Sequence, residues 1–63
     1  MTVEINNEIY TITKTGYGNW NISNGVQTIH TTDSRMIDAV NDEEDDRYEI
    51  ERKRLVNLFY EEQ

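Results

Sequence analysis

The sequence contains no cysteine, which excludes disulfide bonds and thiolate-bound metal sites. It also contains no proline, and its three glycines lie at positions 16, 18 and 25, so no stretch is typical of a flexible linker. No apolar run is long enough to cross a membrane, and residues 1–4 lack the basic and apolar regions of a signal peptide. We therefore predict a single small domain over residues 1–63, located in the cytoplasm and not bound to a membrane.

Basic residues are scarce. The chain has 13 acidic residues against six lysines and arginines, a net charge of −7. Proteins that bind nucleic acids directly contact the phosphates with Lys and Arg, so this balance predicts no direct nucleic-acid binding and favours basic protein partners. Hydrophobic residues make up only 35% of the chain, and small domains with thin cores often gain stability by oligomerising. A homodimer is therefore a second expected form of the chain.

Catalytic residue types are sparse as well. His30 is the only histidine, and the remaining nucleophile candidates, Ser23 and Ser34, lie in no nucleophile motif. A domain this small also offers little room for a cleft that excludes water. We predict that the protein is not an enzyme and that it holds no cofactor and no metal.

The clearest structural signal is Asn24-Gly25, which is typical of a two-residue type I′ hairpin turn. Such a turn would place Ile22 opposite Gln27 and Trp20 opposite Ile29. Because side chains alternate across a strand, these four residues would share one face of the sheet. We predict that this mostly apolar face, with the only Trp of the chain, forms the centre of the core.

Two further strands are predicted before this hairpin, at residues 3–5 and 8–14, joined by a turn at Asn6-Asn7. In the second strand we expect Tyr10 and Ile12 to face the core, because they carry more apolar area than their neighbours. Together with the hairpin, these segments predict an antiparallel β-meander of three or four strands over residues 1–30.

The hydrophobic period becomes helical over residues 33–61. A run of N-cap residue types, residues 31–34, precedes the first apolar positions, and the capping residue among Thr32, Asp33 and Ser34 stays open. A second start signal lies at Asn41, which has Glu44 three residues later. The pattern therefore predicts either one long helix or two consecutive helices joined at Asn41, and it favours two.

The later part of this segment carries an apolar stripe that includes Leu55 and Phe59 at helical spacing. We expect this stripe to pack on the sheet beside Trp20. The predicted fold class is thus α+β: an antiparallel meander followed by C-terminal helix packed on one face.

The most unusual feature is a run of five consecutive acids, Asp42, Glu43, Glu44, Asp45 and Asp46. One interpretation is a solvated helix start, where the helix dipole favours negative charge. Metal binding is less favoured, since no glycine provides the sharp turn of a calcium loop. A third interpretation is mimicry of a nucleic-acid backbone, because residues in a helix rise about 1.5 Å each and charges along duplex DNA are spaced about 1.7 Å apart.

Two functions from different classes follow. The first is a small acidic protein-binding module, an inhibitor or DNA mimic that occupies the basic, nucleic-acid-binding surface of a partner. Size and charge resemble those of small accessory proteins of phages and mobile elements. The acidic run and Glu49 would form the contact, with Tyr17 and Tyr60 as exposed interface aromatics. The alternative is a structural or oligomeric accessory module, in which Ile50, Tyr60 or an edge strand forms a self-interface.

Overall fold

A computed structural model describes residues 1–61 of the chain, so the last two residues of the predicted domain lie outside the described residues. The elements in chain order are β1 (Thr2–Ile5), β2 (Glu8–Gly16), β3 (Asn19–Ser23), β4 (Thr28–Thr31), α1 (Ser34–Val40) and α2 (Tyr48–Glu61). The strands form one antiparallel sheet in the order β1-β2-β3-β4. The α+β prediction is confirmed, with four strands and two helices. Within residues 1–61, neither helix is long and apolar enough to cross a membrane.

The β1–β2 connection is the tight turn that the sequence predicts. Asn6 and Asn7 both have positive φ, 54° and 66°, and they join the paired residues Ile5 and Glu8. Asparagine tolerates this left-handed backbone because its short polar side chain bonds locally. Two consecutive positive φ angles match the right-handed twist of the flanking strands.

The β3–β4 loop, in contrast, does not have the predicted register. Ile22 pairs with Ile29 and Ser23 pairs with Thr28, so the predicted pairs of Ile22 with Gln27 and of Trp20 with Ile29 are wrong. The loop has four residues, because the Oδ1 atom of Asn24 accepts hydrogen bonds from the main-chain N–H groups of Val26 and Gln27, at 2.9 and 2.8 Å.

With the Asn24 side chain bonded in this way, the loop does not close as a two-residue turn. Of the predicted turn residues Asn24 and Gly25, only Gly25 has a positive φ, 93°. The register shift is two residues long, so it leaves the two faces of the sheet unchanged. Trp20, Ile22 and Ile29 still share the core face, and Trp20 lies opposite Thr31.

The core lies between this face and the two helices. The predicted inward residues Tyr10 and Ile12 are buried, and the Tyr10 ring lies 5.1 Å from the ring of Phe59. Burial, together with a hydrogen bond to Glu8, raises the pKa of Tyr10 to about 12. The predicted helical stripe is also confirmed, since Leu55 and Phe59 are both buried in the same cluster.

Asp33 is the residue that caps α1. Its Oδ1 atom accepts a hydrogen bond from the Met36 N–H at 3.1 Å. The predicted second helix start at Asn41 is wrong: Asn41 is the C-cap of α1, and its side-chain amide donates to the Ile37 carbonyl at 2.8 Å. The second helix begins only at Tyr48.

Candidate functional site

The five acids lie in the turns between α1 and α2, and we call Asp42–Asp46 the acidic loop. The Asp42 side chain accepts from the Glu44 N–H at 3.0 Å, and the Asp45 side chain accepts from the Arg47 N–H at 2.8 Å. Main-chain hydrogen bonds from Asp45 to Asp42 and from Tyr48 to Asp45, both 3.0 Å, close two successive turns. Aspartates of this kind offer the backbone an alternative to the helix, which explains why α2 starts after the loop.

The carboxylates of the acidic loop are available to a partner. Four of the five residues are exposed, and Asp45 is half-buried. Every ion pair within residues 1–61 uses Asp33 or Glu51, so none involves the acidic loop. In this part of the chain, no three or more His, Cys, Asp or Glu side chains lie close enough together to hold a metal ion. Because the loop is not helical, the predicted match between a helical rise and the charge spacing of duplex DNA is wrong.

The other predicted contact residues, Glu49, Tyr17 and Tyr60, lie in three different parts of the structure. Glu49 is exposed in the first turn of α2, directly after the acidic loop, and Tyr60 is exposed in its last turn. Tyr17 is fully exposed in the β2–β3 turn. Tyr60 lies beside Asn6 in the β1–β2 turn, at the opposite end of the sheet from Tyr17. The structure therefore does not bring the two tyrosines together.

A buried ion-pair cluster at the start of α2 was not predicted from the sequence. The Glu51 side chain has no exposed surface, and it accepts hydrogen bonds from Arg47 at 2.8 Å and from Arg54 at 2.7 and 2.8 Å. Arg54 also contacts Asp33 at 3.0 Å. The cluster therefore joins the cap of α1 to the first turns of α2, on either side of the acidic loop. The sequence does show that Glu51 lies four residues after Arg47 and three before Arg54, which is ion-pair spacing on a helix. It does not show that Glu51 faces inward.

Two neighbouring pockets that share Arg52 lie between edge strand β1 and helix α2, and together we call them the β1–α2 groove. One part, of about 410 Å³, is lined by residues that include Thr2, Glu4, Glu43 and Tyr48. A second part, of about 320 Å³, continues past Asn6 to Tyr60 and also contains Glu49 and Lys53. Arg52 lines both parts, so it marks the middle of the groove. Its guanidinium lies 4.9 Å from the Tyr48 ring and donates to the Tyr48 hydroxyl at 2.8 Å.

The charge on Asp33 makes the joint between the helices sensitive to acid. The hydrogen bond from the Met36 N–H, together with the Arg54 guanidinium, holds the pKa of Asp33 below its ordinary value of 3.8. A lowered folded-state pKa stabilises the fold above pH 3.8, and this stabilisation is lost as the pH falls through the folded-state value.

We expect Asp33→Asn to lower the free energy of unfolding by about 0.5–1 kcal/mol at pH 7, because Asn still caps but forms no ion pair with Arg54. The difference from wild type should shrink towards zero as the pH falls below 3.8. Urea unfolding across this pH range measures it, with Asp38→Asn as the matched control on an exposed position of α1. A difference that does not change with pH would contradict the assignment.

No protein-family model matches this chain, and neither a curated protein nor a solved structure shows significant similarity to it.

Proposed function

We propose that this protein is a small acidic protein-binding module that occupies a basic surface of a partner, of the kind that binds nucleic acids. The observation that carries the proposal is the acidic loop, five consecutive carboxylates that form none of the ion pairs within residues 1–61. A partner that covers the loop with Lys and Arg would supply the missing counter-charges. Because nucleic acid needs the same basic side chains, occupation of that surface inhibits nucleic-acid binding by the partner.

The shape of the loop supports this function as well as its charge. The side chains of Asp42 and Asp45 hold the main chain in two turns, so the loop has a defined form before any partner binds. A preorganised loop loses less conformational entropy on binding than a flexible acidic tail. Glu43, Glu44 and Asp46 have no such local hydrogen bond among the described residues, and all three are exposed.

The distribution of charge along the sequence is uneven as well. Residues 1–41 carry four acids against two basic residues, whereas residues 42–63 carry nine acids against four. Glu49 extends the negative surface from the loop into α2. Fields of this kind act over about 10 Å at 0.1 M salt, which steers a basic partner towards the loop and makes the complex sensitive to salt. An accessory protein of a phage or mobile element that blocks a host enzyme would use this type of surface.

The test compares two triple variants that change the net charge equally. The loop variant, Glu43→Gln, Glu44→Gln and Asp46→Asn, leaves the hydrogen-bonded Asp42 and Asp45 in place. The control variant, Glu8→Gln, Asp38→Asn and Glu61→Gln, neutralises three acids outside the acidic loop.

Immobilised wild type is used to capture nucleic-acid-binding proteins from a heparin-bound cell fraction, and the captured protein is then titrated against labelled duplex DNA. We expect wild type to displace the DNA and the loop variant to do so about tenfold less well, while the control variant changes the result by less than about threefold. Equal losses for both variants would show a nonspecific effect of net charge and would overturn the proposal. Circular dichroism checks that all variants are folded.

The alternative function, an oligomeric accessory module, is supported by exposed apolar side chains on α2. Ile50 is 60% exposed and Tyr60 is 67% exposed. If these residues form a self-interface, the melting temperature rises with protein concentration, and neutralising the acidic loop does not lower it. Size-exclusion chromatography with light scattering at low and high salt distinguishes the two functions. A dimer that persists in high salt favours the oligomeric accessory module, and a monomer at all concentrations excludes that alternative.

A further inference from the structure

We infer that the β1–α2 groove binds an extended segment of the partner, which pairs with β1 as a fifth strand and places basic side chains next to the acidic loop. This inference rests on the proposed function and adds the form of the partner's contact segment. Addition of a strand to a free sheet edge is a common mode of peptide recognition, in which main-chain hydrogen bonds supply affinity and side-chain contacts supply specificity.

Strand β1 has a free edge. It is one of the two edge strands of the sheet, and within residues 1–61 it pairs only with β2. Met1 and Ile12 exchange two main-chain hydrogen bonds, at 2.7 and 3.3 Å. Hydrogen-bonded and non-hydrogen-bonded pairs alternate along an antiparallel ladder, so the main-chain groups of Val3 point towards β2. Those of Thr2 and Glu4 point away from the sheet, and these two residues present the donors and acceptors that a fifth strand needs.

The free edge of β1 faces the β1–α2 groove. Thr2 and Glu4 line its first part together with Tyr48 and Arg52 of α2. Four residues of strand extend for about 13 Å, and the groove continues beyond them to Tyr60. An added strand would therefore contact β1 through its main chain and α2 through every second side chain.

The charge around the groove favours a basic occupant. Glu43, which belongs to the acidic loop, lines the first part of the groove. A second copy of this chain would bring another net charge of −7 to the same place, so like charges oppose pairing of two β1 strands. A partner segment with Lys or Arg at this end is complementary to the loop.

Arg52 fits this arrangement as a donor in the middle of the groove. Of its five N–H groups, the structure of residues 1–61 shows one hydrogen bond, to the Tyr48 hydroxyl. The cation–π contact with the Tyr48 ring and the hydrogen bond to its hydroxyl together restrain the position of the guanidinium. The remaining donors can bind main-chain carbonyls of the segment, which carry no net charge and so do not conflict with its basic side chains.

The probe is a capped peptide of three Lys-Val repeats, titrated into the isotopically labelled full chain and followed by amide chemical shifts. Two further peptides carry N-methyl groups on either the Lys or the Val amides. Both keep the charge, but each removes the hydrogen-bond donors on one edge of the peptide strand. We expect one N-methylated peptide to bind at least about tenfold more weakly than the parent and the other to change by less than about threefold. Shifts should concentrate at Thr2, Glu4 and the acidic loop.

A matched pair of variants tests the same edge from the side of the protein. Glu4→Pro removes an outward N–H that β2 does not use, and edge strands tolerate proline at such positions. Glu4→Gln changes the charge equally but keeps the N–H. We expect Glu4→Pro to bind the parent peptide at least about tenfold more weakly than Glu4→Gln. The peptide series remains decisive if Glu4→Pro does not fold, because it uses the wild-type chain.

The outcomes separate this inference from the proposed function. Equal binding of all three peptides, with shifts confined to the acidic loop, overturns strand addition and leaves the acidic-loop function standing. Absence of binding by the parent peptide also overturns the inference, and the DNA-displacement experiment still decides the function. If one N-methylated peptide binds weakly and the loop variant binds the parent peptide normally, strand addition in the groove is retained. The role of the acidic loop is then overturned.

Discussion

Replacing Leu55 by alanine should lower the free energy of unfolding by about 3 kcal/mol, close to the limit that a domain of this size can lose and still fold. Leu55 has no exposed surface and belongs to the core cluster between the sheet and α2. The substitution removes buried apolar contacts and leaves a cavity that the rigid sheet cannot fill. Urea unfolding followed by the fluorescence of the only Trp, Trp20, measures the change.

The matched control is Ile50→Ala on the same helix. Ile50 is 60% exposed, so its truncation creates no cavity, and alanine has the higher helix propensity. We expect Ile50→Ala to stay within about 0.5 kcal/mol of wild type. A similar loss for both variants would mean that burial in the core does not set Leu55 apart from an exposed position of α2, and would contradict the predicted cavity effect.

Glu51→Gln should be the second most destabilising change, with a loss of about 2 kcal/mol. The buried carboxylate accepts hydrogen bonds from Arg47 and Arg54. A neutral amide keeps one acceptor oxygen but turns its N–H groups towards guanidinium donors. The loss stays moderate because both arginine side chains are half exposed and can turn to water.

Glu49→Gln is the control, since it changes the same charge on an exposed position two residues earlier. We expect less than about 0.5 kcal/mol for it. The effect of Glu51→Gln should also persist in 1 M NaCl, because buried ion pairs are screened much less than exposed ones. If high salt abolishes the difference, the Glu51 cluster behaves as an ordinary surface pair and does not join the two helices.

Local sequence patterns correctly predict several structural features of this chain. The larger apolar area of Tyr10 and Ile12, which share one face of a strand, correctly predicts that they face the core. The Asn6-Asn7 turn is correct for a similar reason, since its two residues adopt the left-handed backbone locally. Helical spacing likewise identifies Leu55 and Phe59 as core residues.

Local patterns fail where a side chain offers the backbone a second hydrogen-bonding choice. Asn24 could form a tight turn with positive φ or accept two main-chain N–H groups, and the structure shows the latter. Asp42 and Asp45 could begin a helix or form side-chain turns, and they form turns. In both cases a side-chain acceptor competes with a main-chain acceptor of similar strength, so the local sequence does not decide between them.

The sequence by itself determined the α+β class, the antiparallel meander and the inward faces of β2 and α2, because these depend on turn residues and on periods of two or 3.6 residues. It left open whether the C-terminal part forms one helix or two, and the start signal at Asn41 that favoured two was wrong. Tertiary structure decided the register of β3 on β4, the start of α2 and the burial of Glu51. It also decided that β1 lies beside α2 with Arg52 between them. The burial of Glu51 and the position of β1 beside α2 depend on which distant segments meet, and no local period records that. The register and the start of α2 depend on side-chain hydrogen bonds that compete with the expected turn and helix.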